Sequence, residues 1–120
     1  MPDFTVAEKN AFPVTAAIVD EAGTLIPLAQ IVTLVATLYD RESGSILNGR
    51  NAQSVLNANG GTVDSAGNLT LTLVPADNAV LDAARAFELH VLLLEWTYAS
   101  GAKANRLQKR IAVRNLRKVA

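Results

Sequence analysis

The most apolar stretch of the chain is FELHVLLLEW, at residues 87–96, and it predicts a β-strand with two apolar faces. Its odd-numbered positions are Phe87, Leu89, Val91 and Leu93, and its apolar even-numbered positions are Leu92, Leu94 and Trp96. A strand with one face in water alternates apolar and polar residues, so this pattern requires a cover on each face. We expect the odd-numbered set to face the core and the even-numbered set to point outward.

Alternating apolar residues predict further strands at residues 30–40, 69–74 and 106–116, and a run rich in β-branched residues favours another at 13–20. In these strands, the positions expected to face the core are Val32, Leu34, Ala36, Leu38, Leu69, Leu71, Leu73, Leu107, Ile111 and Val113. Polar residues stand between the last three of these positions. They predict a charged outer face on the final strand.

Turn-forming residues separate these strands. In DSAGN, Asp64 is placed to bond the following backbone and Gly67 accommodates a positive φ, which predicts a hairpin turn. The polar stretch 45–60 predicts loops with short strands, and residues 79–86 favour only a helical turn or two.

Length and composition set the domain organisation. A chain of 120 residues, half of them hydrophobic, suits one domain with one core. Residues 1–12 show no useful periodicity and predict an extended N-terminal arm, whereas residues 13–120 form the domain. About seven short strands, with no internal repeat and no long helix, predict an all-β fold that consists of a single antiparallel β-sandwich.

The overall charge excludes little and points to no partner. Eleven Lys and Arg balance eleven Asp and Glu, so nothing in the total favours nucleic acid, an anionic membrane or an acidic substrate. Cysteine is missing, which leaves no disulfide framework and no thiolate metal site. We expect neither a membrane span nor a secretion signal, because no apolar run is long enough and the first residues lack a basic region.

The basic residues are concentrated at one end. Seven of the eleven lie after residue 102, in a segment without any acid: Lys103, Arg106, Lys109, Arg110, Arg114, Arg117 and Lys118. This segment is typical of a solvated edge strand, of a surface that docks on an acidic protein, or of a DNA contact. Nucleic acid is the least favoured of the three, and the lack of interleaved aromatics disfavours single strands.

The residues that carry chemistry form no recognisable catalytic motif. His90 is the only histidine, so no Ser-His-Asp set and no second imidazole for a metal site is indicated, and we interpret it as bonded within the sheet or at an interface. Glu88 and Glu95 lie on opposite faces of one strand, which disfavours a paired-carboxylate glycosidase site built from these two residues alone. The turn carboxylates show no calcium-loop spacing: Asp40, Glu42, Asp64 and Asp77. The prediction is a non-enzymatic protein with no catalytic residue, cofactor or metal.

One resemblance rests on the order of turns and strands. LYDRESGSILNG is followed by GGTVDSAGNLTLTLVPADN, an aromatic-containing strand, a Gly turn and a basic strand that ends in VRNL. This order, over residues 13–117, resembles small immunoglobulin-like structural proteins of tailed bacteriophages. The resemblance implies an immunoglobulin-like sandwich of about seven strands and a virion component in several copies, assembled in the host cytoplasm: a capsid-decorating, neck or tail-associated subunit. It transfers no functional residues.

The predicted partner interface combines the outward apolar set with the basic strand. It consists of Phe4, Phe12, Ile31, Val35, Tyr39, Leu92, Leu94, Trp96, Arg110 and Arg114. A neighbouring subunit, the chain's own arm or its loop 45–60 are the possible covers of the apolar part. The expected partners are other virion proteins and copies of the chain itself, with an acidic protein surface at the basic strand. The alternative is a host-surface or carbohydrate-binding module, in which Trp96, Tyr39 and Tyr98 are the aromatic residues that could stack on a sugar.

Overall fold

The computed structural model describes residues 4–7, 10–78, 86–98 and 103–114. Its strands are β1 (Phe4–Ala7), β2 (Phe12–Ala17), β3 (Ile31–Asp40), β4 (Gln53–Ser54), β5 (Gly61–Val63), β6 (Asn68–Leu73), β7 (Phe87–Tyr98) and β8 (Lys103–Arg114). Short 3₁₀ turns lie at Leu28–Gln30 and Pro75–Asn78. Most of the helical turn predicted at 79–86 lies outside the described residues. Nowhere in the described part does a helix have the length and apolar character needed to cross a membrane.

Two sheets build the molecule. The larger has the strand order β1-β8-β7-β3-β4, and the smaller has the order β2-β6-β5. Neighbouring strands are antiparallel except β1, which runs parallel to β8 at the edge of the larger sheet. Side chains from both sheets form one hydrophobic core. The predicted all-β sandwich is confirmed, and part of the predicted arm is a strand of that sandwich.

The two faces of β7 are the reverse of the prediction. The even-numbered Leu92, Leu94 and Trp96 are buried in the core. Phe87, at the start of the odd-numbered set, is 50% exposed. Because both sets are apolar, alternation alone does not fix which one faces inward.

A register irregularity changes the start of β3. Pairing with β7 shifts between Ile31 and Thr33, so Ile31 turns into the core while Val32 is 47% exposed. The predictions of an inward Val32 and an outward Ile31 are therefore wrong. The rest of the predicted inward set of β3 is buried: Leu34, Ala36 and Leu38.

The hairpin before β6 follows the prediction. The carboxylate oxygen Oδ1 of Asp64 accepts hydrogen bonds from the backbone N–H groups of Ala66, Gly67 and Asn68. Gly67 has a φ of 102°, and a Cβ there would stand 2.1 Å from the carbonyl oxygen of Ile26. A side chain is thus excluded by both backbone conformation and space. The predicted inward positions of β6 and of the end of β8 are buried: Leu69, Leu71, Leu73, Ile111 and Val113.

The loop at 45–60 lies along the free side of β3. Backbone hydrogen bonds of 2.9 Å join it to β3: the N–H groups of Leu38 and Asp40 donate to the carbonyl oxygens of Arg50 and Ser45. The N–H groups of Leu47 and Val55 donate to the carbonyl oxygens of Leu38 and Leu34. Leu47 and Val55 are buried in the core. These bonds satisfy an edge that would otherwise offer unpaired backbone groups.

A buried ion pair fastens this loop to the turn after β6. Nε and Nη2 of Arg50 donate to Oδ1 and Oδ2 of Asp77 at 2.6 and 3.0 Å, and both side chains are buried. Oδ2 of Asp77 also accepts from the backbone N–H of Val74 at 2.7 Å. The ion pair is bidentate, and each partner makes further hydrogen bonds, which is the geometry that a buried charge requires.

Candidate interaction surface

The outer face of the larger sheet carries a continuous apolar area, which we call the apolar stripe. Cross-strand pairing places Tyr39 beside Val91 and Thr37 beside Leu93. Val91 is buried and Phe87 is half exposed, while the remaining members are intermediate. The apolar stripe consists of Val35, Tyr39, Phe87, Leu89, Val91 and Leu93.

The apolar stripe is long enough to serve as a contact area. Seven residues of β7, from Phe87 to Leu93, extend over about 20 Å at the usual rise of a strand. Val35 and Tyr39 widen it onto β3, whose axis is about 4.8 Å from that of β7. The result is a two-strand apolar area on a face that the smaller sheet does not cover.

A basic row borders the apolar stripe on β8. Its members are spaced four residues apart and are exposed: Arg106, Arg110 and Arg114. In register, Arg110 lies beside Val91 and Arg114 beside Phe87. Among the outward positions of β3, β7 and β8, Glu95 is the only acid, and it is paired in register with Arg106. The strands of the outer face therefore place three arginines and one acid beside the apolar area, and Arg110 also interacts within the chain.

A groove of about 450 Å³ opens at the far end of this face. Val35, Glu95 and Arg106 are among the residues that line it. The hydroxyls of Thr33 and Thr97 lie 2.6 Å apart across the strands at its floor. The groove thus offers charged and hydroxyl groups next to the apolar stripe.

Four of the ten predicted interface residues lie on this outer face: Val35, Tyr39, Arg110 and Arg114. The other six do not: Phe4, Phe12, Ile31, Leu92, Leu94 and Trp96. The last four are buried in the core. Phe4 and Phe12 are partly buried against that core, with ring centroids 5.3 Å apart, because β1 and β2 extend the two sheets instead of crossing the outer face.

Sequence reasoning did not recognise the odd-numbered residues of β7 as part of the outer face, because it predicted that they face the core. A signal for them was present at the end of the strand. Glu95 and Thr97 continue the odd-numbered set with polar side chains, whereas Trp96 and Tyr98 continue the even-numbered set with large aromatics. The position of Trp96 is fixed further because its Nε1–H donates to the carbonyl oxygen of Val19 at 2.9 Å.

A second group of polar residues, the buried polar cluster, lies inside the sandwich at the other end of β7. It consists of Asp40, Glu88 and His90, all of them buried. Nε2 of His90 lies 2.8 Å from Oε1 of Glu88. Oδ2 of Asp40 accepts from the backbone N–H and the hydroxyl of Ser43 at 3.1 and 2.8 Å. The sequence did not reveal the cluster because Asp40 meets His90 only through the register of β3 and β7.

Asp64 and Asp77, two further turn carboxylates, each bind groups outside the buried polar cluster. Hydrogen bonds lower the pKa of Asp64, and the backbone N–H of Asn68 contributes most to this shift. Asp77 is bound to Arg50. In the part of the chain that the structure describes, the only grouping of three possible metal ligands is the buried polar cluster.

Chemically, the outer face provides apolar contact area, guanidinium groups and a polar groove. Apolar centres with a charged border are typical of surfaces that bind other proteins.

Comparison with known proteins returned no match among protein-family models, curated proteins or solved structures.

Proposed function

We propose that the protein is a non-enzymatic structural component of a bacteriophage virion, a capsid-decorating, neck or tail-associated subunit that acts through protein–protein contacts. The observation that carries the proposal is the apolar stripe on the outer face of the larger sheet. The resemblance in the order of turns and strands supplies the virion context.

Phe87, at one end of the apolar stripe, is half exposed, whereas Val91 at its centre is buried within the single chain. Of the two internal covers considered, the loop 45–60 bonds the free side of β3, and β1 bonds the edge of β8. Both segments therefore extend the sheet sideways and do not lie across it. Exposed apolar area beyond scattered single residues usually marks a binding site, so we infer that a second polypeptide covers the part of the apolar stripe that remains exposed.

The strand order supports the resemblance to immunoglobulin-like proteins. With β2 taken as the second strand of such a domain, β2, β6 and β5 occupy the places of strands B, E and D. β3, β7 and β8 then occupy the places of strands C, F and G. Domains of this kind serve widely as contact modules, and function resides in the surface they present.

The basic row defines the chemistry of the partner. Arginines beside an apolar stripe favour a protein surface that presents an apolar strip flanked by carboxylates. Arg114 is the exposed member of the row beside Phe87, since Arg106 is paired in register with Glu95 and Arg110 also interacts within the chain. We therefore assign the outer face to contact with another virion protein of this character. Because exposed charges are screened by salt, the contact should weaken as ionic strength rises.

The carbohydrate-binding alternative loses two of its three aromatics. Trp96 and Tyr98 are 1% and 6% exposed, so neither ring can stack on a sugar. Only Tyr39 lies on the outer face. A structural role is the better supported of the two.

Composition analysis of purified phage particles tests the proposal. Quantitative mass spectrometry should detect the chain in several copies per particle, in a fixed ratio to the major capsid or tail protein. Recovery of the chain only from host membranes or host cytosol, with none in the particles, would contradict the virion assignment.

A further inference from the structure

The loop 45–60 contains two asparagines that are each followed by glycine: Asn48-Gly49 and Asn59-Gly60. Both asparagines are exposed and have a left-handed backbone, with φ of 51° and 52°. In such a pair the backbone nitrogen of glycine can attack the side-chain amide carbon of asparagine, because no glycine side chain stands in the way. Local sequence, exposure and the conformation of asparagine thus make both pairs candidates for the same reaction.

The reaction is deamidation, and water is its only co-reactant. The N–H of glycine loses its proton to a base in the solvent, the nitrogen bonds to Cγ of asparagine, and Nδ2 leaves as ammonia. The product is a five-membered imide. Water then breaks one of the two C–N bonds of the ring, which gives aspartate or its β-linked isomer. One water is taken up, one ammonia is released, and a neutral amide becomes a carboxylate.

The backbone around the two pairs differs. To reach Cγ, the glycine nitrogen has to turn about ψ of asparagine, and the planar peptide carries the asparagine carbonyl oxygen with it. The carbonyl oxygen of Asn59 accepts a hydrogen bond from Nη1 of the buried Arg50 at 3.0 Å. Among the described residues, none bonds the carbonyl oxygen of Asn48 or the N–H of Gly49. The turn therefore breaks a bond to a buried guanidinium at Asn59 and no bond at Asn48.

The space around the two glycines differs in the same sense. A Cβ on Gly60 would stand 2.9 Å from the backbone carbonyl oxygen of Thr72, whereas one on Gly49 would meet nothing within 4 Å. The second peptide group thus lies against a neighbouring strand, and the first has room to move.

We propose that Asn48 is a deamidation site of the folded chain and that the fold protects Asn59. The new carboxylate at position 48 replaces an amide whose Nδ2 donates to Oδ1 of Asp77 at 2.9 Å. Two carboxylates at such a distance repel each other, and Asp77 loses a hydrogen-bond donor. Asp77 is also the partner of Arg50 in the ion pair that fastens the loop 45–60. Deamidation therefore weakens the attachment of the loop that covers the free side of β3.

Incubation of the full chain in mildly alkaline buffer tests the site. Samples taken over time are digested, and chromatography with mass spectrometry measures amide loss in the peptides that contain each pair. In the folded chain we expect loss at least about tenfold faster at Asn48 than at Asn59, and in the urea-unfolded chain we expect similar rates. Equal rates in the folded chain, or faster loss at Asn59, would overturn the proposal. A ratio that persists in urea would assign the difference to local sequence and contradict the structural argument.

Two substitutions test the consequence for the loop. Asn48→Asp places the charge of the product beside Asp77. Asn59→Asp makes the same change beside a neutral group, because Nδ2 of Asn59 donates to the backbone carbonyl oxygen of Ser54 at 2.8 Å. The midpoint of thermal unfolding should fall further in Asn48→Asp than in Asn59→Asp. A fall in Asn48→Asp that is no larger than in the control would contradict the coupling to the ion pair.

Discussion

The two faces of β7 have nearly the same apolar content and opposite surroundings. The inward face holds Leu92, Leu94 and Trp96 in a dry core, together with the polar Glu88 and His90. The outward face holds the apolar stripe and ends in Glu95 and Thr97. The difference shows that apolar content alone does not distinguish a core face from an outer face. Packing against the smaller sheet makes that distinction.

The largest expected effect is a difference in unfolding free energy between substitutions on the two faces of β7. Trp96→Ala should lower the free energy of unfolding by about 3–5 kcal/mol, because it removes a fully buried ring from the core. Leu93→Ala, on the outer face of the same strand, should cost less than about 1 kcal/mol. Chemical denaturation of both variants measures the difference. Similar losses would mean that the outer face is covered from within the chain.

The next prediction compares a buried ion pair with an exposed ion pair. Asp77→Ala leaves the buried guanidinium of Arg50 without its carboxylate, and should cost about 3–5 kcal/mol of unfolding free energy. The exposed pair of Lys103 and Glu21 provides the control, since exposed pairs contribute little to stability. Urea unfolding of Asp77→Ala and Lys103→Ala should therefore give clearly different midpoints. A stable Asp77→Ala variant would show that loop 45–60 does not depend on this pair.

The smallest effect concerns pH. Hydrogen bonds from Lys103 and then Tyr98 lower the pKa of Glu21 from 4.5 to about 2. Because the folded-state pKa lies below the ordinary value, the stabilisation is present above about pH 4.5 and is lost as the pH falls toward 2. Glu21→Gln should flatten the dependence of the thermal midpoint on pH in this window. An unchanged pH profile would show that the Glu21 contacts do not persist in solution.

The sequence was sufficient where one physical pattern excluded its alternatives. Leu69, Leu71 and Leu73 alternate with threonines, so only one face of β6 could be buried. Asp64 and Gly67 specify their turn by side-chain bonding and positive φ. These features led to the all-β sandwich.

The pairing register of the strands could not be predicted from the sequence. The shift between Ile31 and Thr33, the pairing of Asp40 with His90 and the addition of β1 beside β8 are contacts between distant parts of the chain. No local pattern encodes them. The same limit explains why the even-numbered residues of β7 were predicted to point outward, whereas they lie in the core.

Particle incorporation of a matched pair of variants tests the central claim, that the apolar stripe is a partner contact. Phe87→Glu puts a charge at the half-exposed end of the stripe, and Leu25→Glu puts the same charge at a site 40% exposed elsewhere. Both variants should unfold at nearly the wild-type midpoint. Phe87→Glu should be incorporated into particles at least tenfold less than Leu25→Glu, as expected for loss of about 1.4 kcal/mol or more at an interface. Equal incorporation of two folded variants would contradict the account.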